Sequence, residues 1–246
     1  MELLASHQSA NGKILNALDF PQSHSSNPPM ALASDLLAFR AMACRGDADE
    51  YPTADMRWGL AATQDTFTAF RIDSDGLNTF ISCVNKEGLK WWIVIGPKDR
   101  KDVSAFARVE RAYAFHNDGV NVAALGNVQV EAVLLTPGVR LLAILHDVLG
   151  TLSFIFRYMR ANTPHAVLTP KAAICHGGHY FSASTLRSTC YGFLMGFSLS
   201  TLLTNTSHTS ECQLLFRKML AYYYNAHTRG RPENAGIKLS FTATVM

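Results

Sequence analysis

Residues 160–184, RANTPHAVLTPKAAICHGGHYFSAS, constrain the fold more than any other stretch of the chain. Pro164 sets a turn, and His165 then heads a short apolar run. Thr169-Pro170 reads as a second turn, followed by Ala173-Ile174-Cys175, a Gly177-Gly178 pair and His179-Tyr180-Phe181. Apolar and small residues alternate with a period of two, which is the period of a strand. Strand parity therefore decides whether His165 faces inward or outward. A closed β-barrel offers a side chain to its lumen in this way.

A chain of 246 residues suits one large domain, and all-β barrels reach this size undivided. Its 48% hydrophobic content supports a real core. The net charge of +3, without a dense Lys/Arg stripe, is too mild to argue for nucleic acid. Cys44, Cys83, Cys175, Cys190 and Cys212 are odd in number, widely spread and free of any C-x-x-C pair. That pattern predicts a reduced intracellular protein rather than a disulfide framework or a zinc knuckle. Residues 1–28 lack the charged start and apolar block of a secretory signal. The longest apolar run, 141–156, is interrupted by His146, Asp147 and Gly150 and is too short for a good membrane span.

Along the chain, 1–12 reads as a frayed tail, 13–20 as a first strand and 30–45 as an amphipathic helix. Arg45-Gly46-Asp47 reads as a solvated turn. Residues 58–73 are strand-like, 77–84 form a strand, and KWWIVI at 90–95 is a strand closed by Gly96-Pro97. Helical spacing marks 99–117, and 128–135 alternates as a strand. Segments 185–206 and 210–227 carry Leu, Tyr and Phe at helical spacing and predict two packed helices. Tyr222-Tyr223-Tyr224 belongs to their packing, 228–246 is loosely held, and His116 and His146 read as solvated.

His165-Ala166-Val167-Leu168-Thr169-Pro170, with Gly177-Gly178 and Phe181 behind it, resembles the distal metal-histidine segment of Jumonji C (JmjC) oxygenases. The likeness is nearest to the lysine demethylases of that family and to fungal proteins with a lone JmjC domain. It runs from about Lys13 into the first C-terminal helix, and is strongest over 160–184 and 66–97. It implies a double-stranded β-helix, that is a jelly-roll or cupin barrel, with an N-terminal helix and a C-terminal helical pair. Domain bounds follow: a tail at 1–12, the barrel domain at 13–206, and a helix with its tail at 207–246.

Family membership would imply dioxygenase chemistry dependent on Fe(II) and 2-oxoglutarate, often ending in demethylation of a methyl-lysine. Iron in such a site is held by two histidines and a carboxylate on one face. Asp73 and His165 occupy matching positions, while Arg71 stands where the family has its first histidine. Arginine stays protonated and has no lone pair to give. An impaired or absent iron centre is the expectation, either a protein hydroxylase of reduced competence or an inactive, partner-binding descendant. A lumen that binds a small molecule without metal is a third reading.

Thr68 and Lys90 match the positions that hold the far carboxylate of 2-oxoglutarate in the family. On a regular strand Thr68 faces away from Arg71 unless a bulge intervenes. Lys90 either enters the barrel, where it needs an anion, or sits at the exposed start of its strand; Lys86, in a turn, is the competing lysine. Cys175, His176 and His179 read as barrel wall, with His179 a minor candidate for the missing ligand.

One segment departs from the family's spacing. Gly138-Val139-Arg140-Leu141 starts a strand that Tyr158-Met159-Arg160 resumes, and 142–157, LAILHDVLGTLSFIFR, lies between. It reads as an extraneous piece, such as a translated intron, or as a helical insertion over the barrel mouth. No chromatin-reading module accompanies the domain, so a histone substrate and a nuclear address rest on the resemblance alone, and oligomeric state is left open.

Overall fold

The computed structural model describes residues 14–21, 56–99, 128–136, 140–142, 159–181, 185–199 and 210–229. Among these residues nine strands form: β1 Asn16–Pro21, β2 Arg57–Ala62, β3 Thr66–Arg71, β4 Asn78–Cys83, β5 Leu89–Pro97, β6 Val128–Leu135, β7 Arg140–Leu142, β8 His165–Lys171 and β9 Ala173–Tyr180. Two helices follow, α1 Leu186–Leu199 and α2 Ser210–Thr228. The strands make two antiparallel sheets, in the orders β1-β2-β9-β4-β7 and β3-β8-β5-β6. The described residues are thus mostly β, with two helices. The helices expected at 30–45 and 99–117, the 142–157 segment beyond Leu142, the RGD turn, His116, His146 and the chain ends lie outside the described residues.

Strand alternation explains how the sheets meet. Lys90, Trp92 and Val94 are buried on one face of β5, while Leu89, Trp91 and Ile93 are partly exposed on the other. Trp58 and Leu60 of β2, Ile81 and Cys83 of β4, and Ala173 and Cys175 of β9 pack in one cluster with Trp92, Val133, Leu135 and Val167 of the second sheet. Both sheets therefore turn an apolar face to a shared interior. Burying each large side chain there contributes about 1.5–3 kcal/mol.

Two local expectations are corrected. The run 58–73 is divided, because Thr63, Gln64 and Asp65 turn the chain from β2 in one sheet to β3 in the other. Asp65 takes a φ of 63°, a left-handed conformation that aspartate tolerates better than most residues. Thr169-Pro170 does not turn the chain either; β8 continues to Lys171. Pro170 lies where the β5–β8 register shifts, and a bulge has no need of the missing N–H.

A second apolar cluster lies behind the sheets. Leu186 of α1 and Leu215, Phe216, Met219 and Tyr223 of α2 close over Met56, Leu77 and Phe181. Tyr223 is buried in that packing, whereas Tyr224 is exposed. Helix α1 also grips two loops. Thr189 Oγ1 donates to Gly76 O at 2.7 Å, and Asn162 Nδ2 donates to Ser188 O at 2.5 Å. Gly76, at φ +60°, has no room for a side chain because a Cβ would meet the Thr189 backbone. These loops come just after Asp73 and just before His165, so α1 fixes the placement of both.

Along the outer edge of β4, the pairs Ser82–Arg140, Ile81–Leu141 and Phe80–Leu142 follow one another. The next position, Thr79, pairs with Met159, with backbone bonds of 2.9 and 3.0 Å. The edge strand therefore stops at Leu142 and restarts at Met159 without losing register on β4.

Candidate functional site

Strand pairing builds the site. Arg71 is the cross-strand partner of His165, and Thr68 is the partner of Val167. Three steps on β3 match two on β8, which is a β-bulge. The bulge cancels the odd spacing and turns Thr68 and Arg71 to the same face as Val167 and His165. Asp73 follows just after the strand, and its Oδ1 lies 3.6 Å from His165 Nε2. The structure thus brings Asp73, His165 and Arg71 together, from segments far apart in the chain.

His165 is fully buried and stacks on Trp92, with ring centroids 5.0 Å apart and planes 16° from parallel. Its Nδ1 is 3.0 Å from Thr163 O. A carbonyl can only accept, so Nδ1 carries a proton. Nε2 then bears the lone pair in the neutral ring, and an N–H directed at Asp73 when the ring is charged. Burial pushes the His165 pKa down, against the pull of Asp73.

Asp73 has a partner that sequence reasoning missed. Thr79 Oγ1 donates to Asp73 Oδ2 at 2.5 Å, and His179 Nδ1 is 3.0 Å from the same hydroxyl. Having given its one proton to the carboxylate, the hydroxyl accepts from His179 Nδ1–H. His179 therefore reaches Asp73 through Thr79. Burial works to raise the Asp73 pKa, but His165, His179, Arg71 and the Thr79 hydroxyl together hold it down to about 2. The signal available for Thr79 was weak: a threonine on a strand looks like any β-former until its cross-strand partner, here His179, is known.

Arg71, Asp73, Thr79 and His179 line a cavity of about 30 Å³ with Leu18, Leu60, Trp58 and Trp92. That is room for one or two waters or a small ligand group. Gly177 is what admits Trp58, because a Cβ there would collide with the indole. Arg71 Nη1, Trp58 Nε1 and Trp92 Nε1 are buried, and none has a hydrogen-bond partner among the described residues. The lining residues thus include one fixed carboxylate and three buried N–H groups unanswered by the described residues, which costs free energy unless an acceptor reaches them.

The fit to iron can be judged from the donor set. Asp73 Oδ1 and His165 Nε2, 3.6 Å apart, are two atoms that could donate to one ion when the ring is neutral. Arg71, the cross-strand partner of His165, carries positive charge and no lone pair. Among the described residues no three His, Cys, Asp or Glu side chains are placed to hold a metal ion. The described residues around Asp73 and His165 therefore do not supply a two-histidine, one-carboxylate centre.

The two remaining candidates are not among the residues that line this cavity. Thr68 is half-buried, and its hydroxyl accepts from Asn16 Nδ2 of β1 at 3.1 Å. Lys90 is only 3% exposed, so it belongs to the interior and not to an exposed strand start; Lys86 is exposed in its turn. Burial pushes the Lys90 pKa down, and the neighbouring Cys175 and Cys83 oppose that shift. Among the described residues, no helix is long and apolar enough to cross a membrane. No family model matches the chain, and no curated protein matches it.

Proposed function

We propose that the chain is a JmjC-like barrel domain of the double-stranded β-helix class in which a guanidinium has taken over the charge role of the metal. In this reading Asp73 and His165 descend from iron ligands, and Arg71 neutralises Asp73 where iron would have done so. The lumen then binds a small carboxylate without oxidising it. The observation that carries this reading is that Arg71, Trp58 and Trp92 line one cavity and each holds a buried N–H with no hydrogen-bond partner among the described residues. A carboxylate has the acceptor lone pairs to answer all three, and its pairing with a guanidinium is strong.

The test is binding with and without ferrous ion. Acetate, succinate and 2-oxoglutarate should each be titrated against the full chain by calorimetry. Binding of at least one of them without iron, lost in Arg71→Met, is the expected result. No binding by any of them would sink the reading.

The convergence of Asp73 and His165 favours a second reading, a dioxygenase dependent on Fe(II) and 2-oxoglutarate and acting on a protein side chain. Iron-dependent turnover of 2-oxoglutarate by the unaltered chain would establish it. Under the first reading turnover is absent, and Arg71→His gains ferrous-ion binding because the third donor is restored.

A further inference from the structure

We propose that Cys83 and Cys175 are a redox pair that closes into a cross-strand disulfide when the protein meets a hydroperoxide. The two residues are direct partners on β4 and β9, and both are free thiols. Antiparallel partners alternate between hydrogen-bonded pairs and closer, non-hydrogen-bonded pairs. Val84 N donates to Ile174 O at 2.9 Å, and Ile174 N turns to the same side to donate to Asn85 Oδ1 at 2.9 Å. The bonding position is therefore 84 with 174, and the adjacent position, Cys83 with Cys175, is the closer kind. Cα atoms of such a pair stand about 4.5 Å apart. That lies inside the span of about 4.4–6.8 Å that a disulfide bridges. Both side chains point into the same interior cluster, so neither strand must rotate.

The surroundings favour oxidation of Cys83 first. The Cys175 thiol beside it lowers the Cys83 pKa to about 7; burial opposes this, and Asn85 and the Lys90 charge assist. Cys175, by contrast, is pushed well up by Cys83 and by burial. Cys83 ends β4 and is followed by exposed Val84, Lys86 and Glu87, so the pair lies just under a surface turn. Gly88 packs that turn on the thiol: a Cβ there would meet Cys83 Sγ at 2.5 Å.

The chemistry balances with the peroxide as oxidant. The Cys83 thiolate attacks one peroxide oxygen; the S–O bond forms, the O–O bond breaks, and the leaving hydroxide takes a proton to become water. The Cys175 sulfur then attacks the sulfenic acid; the S–S bond forms, the S–O bond breaks, and the second oxygen leaves as water with the Cys175 proton. Two thiols and one hydrogen peroxide give one disulfide and two waters. The bond clamps β4 to β9, the strands that present Thr79 and His179 to Asp73.

The full chain should be treated with hydrogen peroxide, alkylated and digested without reductant for mass spectrometry. The expected product is a linked pair of peptides bearing Cys83 and Cys175, two hydrogens lighter than the separate thiols and released by dithiothreitol. In Cys175→Ser, Cys83 should instead accumulate a dimedone-reactive sulfenic acid. Peroxide treatment of the unaltered chain that leaves both thiols alkylatable, or that takes Cys83 to sulfinic acid without a link, overturns the proposal.

Discussion

The interior has two poles, one around half-buried Arg71 and one around buried Lys90, and they resolve its charge differently. At one, Arg71 faces a carboxylate that is held ionised by two histidines and a hydroxyl. At the other, Lys90 faces two thiols, one of which sits near its ionisation point. Central strand β9 serves both, with Cys175 at the thiol pole, His179 at the carboxylate pole and Gly177 between them on the same face. A guanidinium keeps its charge in any surroundings, so its pole requires an anion or must tolerate idle donors. An ammonium gives up its proton when buried, so its pole adjusts by titration. The first pole is suited to holding a ligand and the second to changing state.

Substitutions along β9 should separate the poles most sharply. Gly177→Val drives a side chain into the Trp58 indole, and overpacking of this kind costs about 3 kcal/mol. Cys175→Ala, two residues away, only removes a sulfur atom from the cluster, for about 1 kcal/mol. Chemical denaturation of both variants checks the contrast. Equal losses would mean that the carboxylate pole is not packed as tightly as the Trp58–Gly177 contact implies.

Acid should weaken one pole and spare the other. The Asp73 pKa is about 2 in the folded protein and 3.8 otherwise, so the folded state prefers the ionised form. Its contribution, about 2 kcal/mol, is fully present above pH ~4 and is lost as the pH falls toward 2. Asp73→Asn should abolish this part of the acid dependence, read from denaturation midpoints across that window. An unchanged slope would show that Asp73 is not the group responsible.

Lys90 predicts the opposite sign at the other end of the scale. Its folded pKa lies below its unfolded value, so folding disfavours the charged amine. Lys90 therefore costs stability at neutral pH and ceases to do so as the pH rises through its lowered pKa toward the unfolded value. Lys90→Met should stabilise the protein by about 1 kcal/mol at pH 7, with the gain vanishing in alkali. A loss at pH 7 would mean that the amine has an interior anion to answer it.

Much of this arrangement was legible in the sequence, and the limits have physical causes. Period-two alternation exposed β5, β6 and β8, whereas the turns expected at Gly96-Pro97 and Thr169-Pro170 lie inside strands. Asp73 and His165 could be singled out as a pair only through the resemblance to JmjC oxygenases, whose metal-ligand positions they match. The bulge between Thr68 and Arg71 was not legible, since no glycine or proline marks it and pairing with β8 alone creates it. The same holds for Thr79 and for the Cys83–Cys175 pair. Each depends on register between strands distant in the chain, and register is set by the whole sheet.

The edge of β4 offers the mildest test of the two poles. Pairing with Arg140, Leu141 and Leu142 runs from the thiol end toward the carboxylate end, and the break falls immediately before Thr79, the residue that holds Asp73. Leu142 and Met159 occupy successive positions on β4, so joining them directly demands no new pairing. A chain lacking 143–158 should keep its cooperative unfolding, with a midpoint within about 2 °C of the parent or above it, because a shorter connection costs less closure entropy. Loss of cooperative folding would show that the removed segment supports the sheet. A drop confined to carboxylate binding would place its contribution at the Asp73 pole alone.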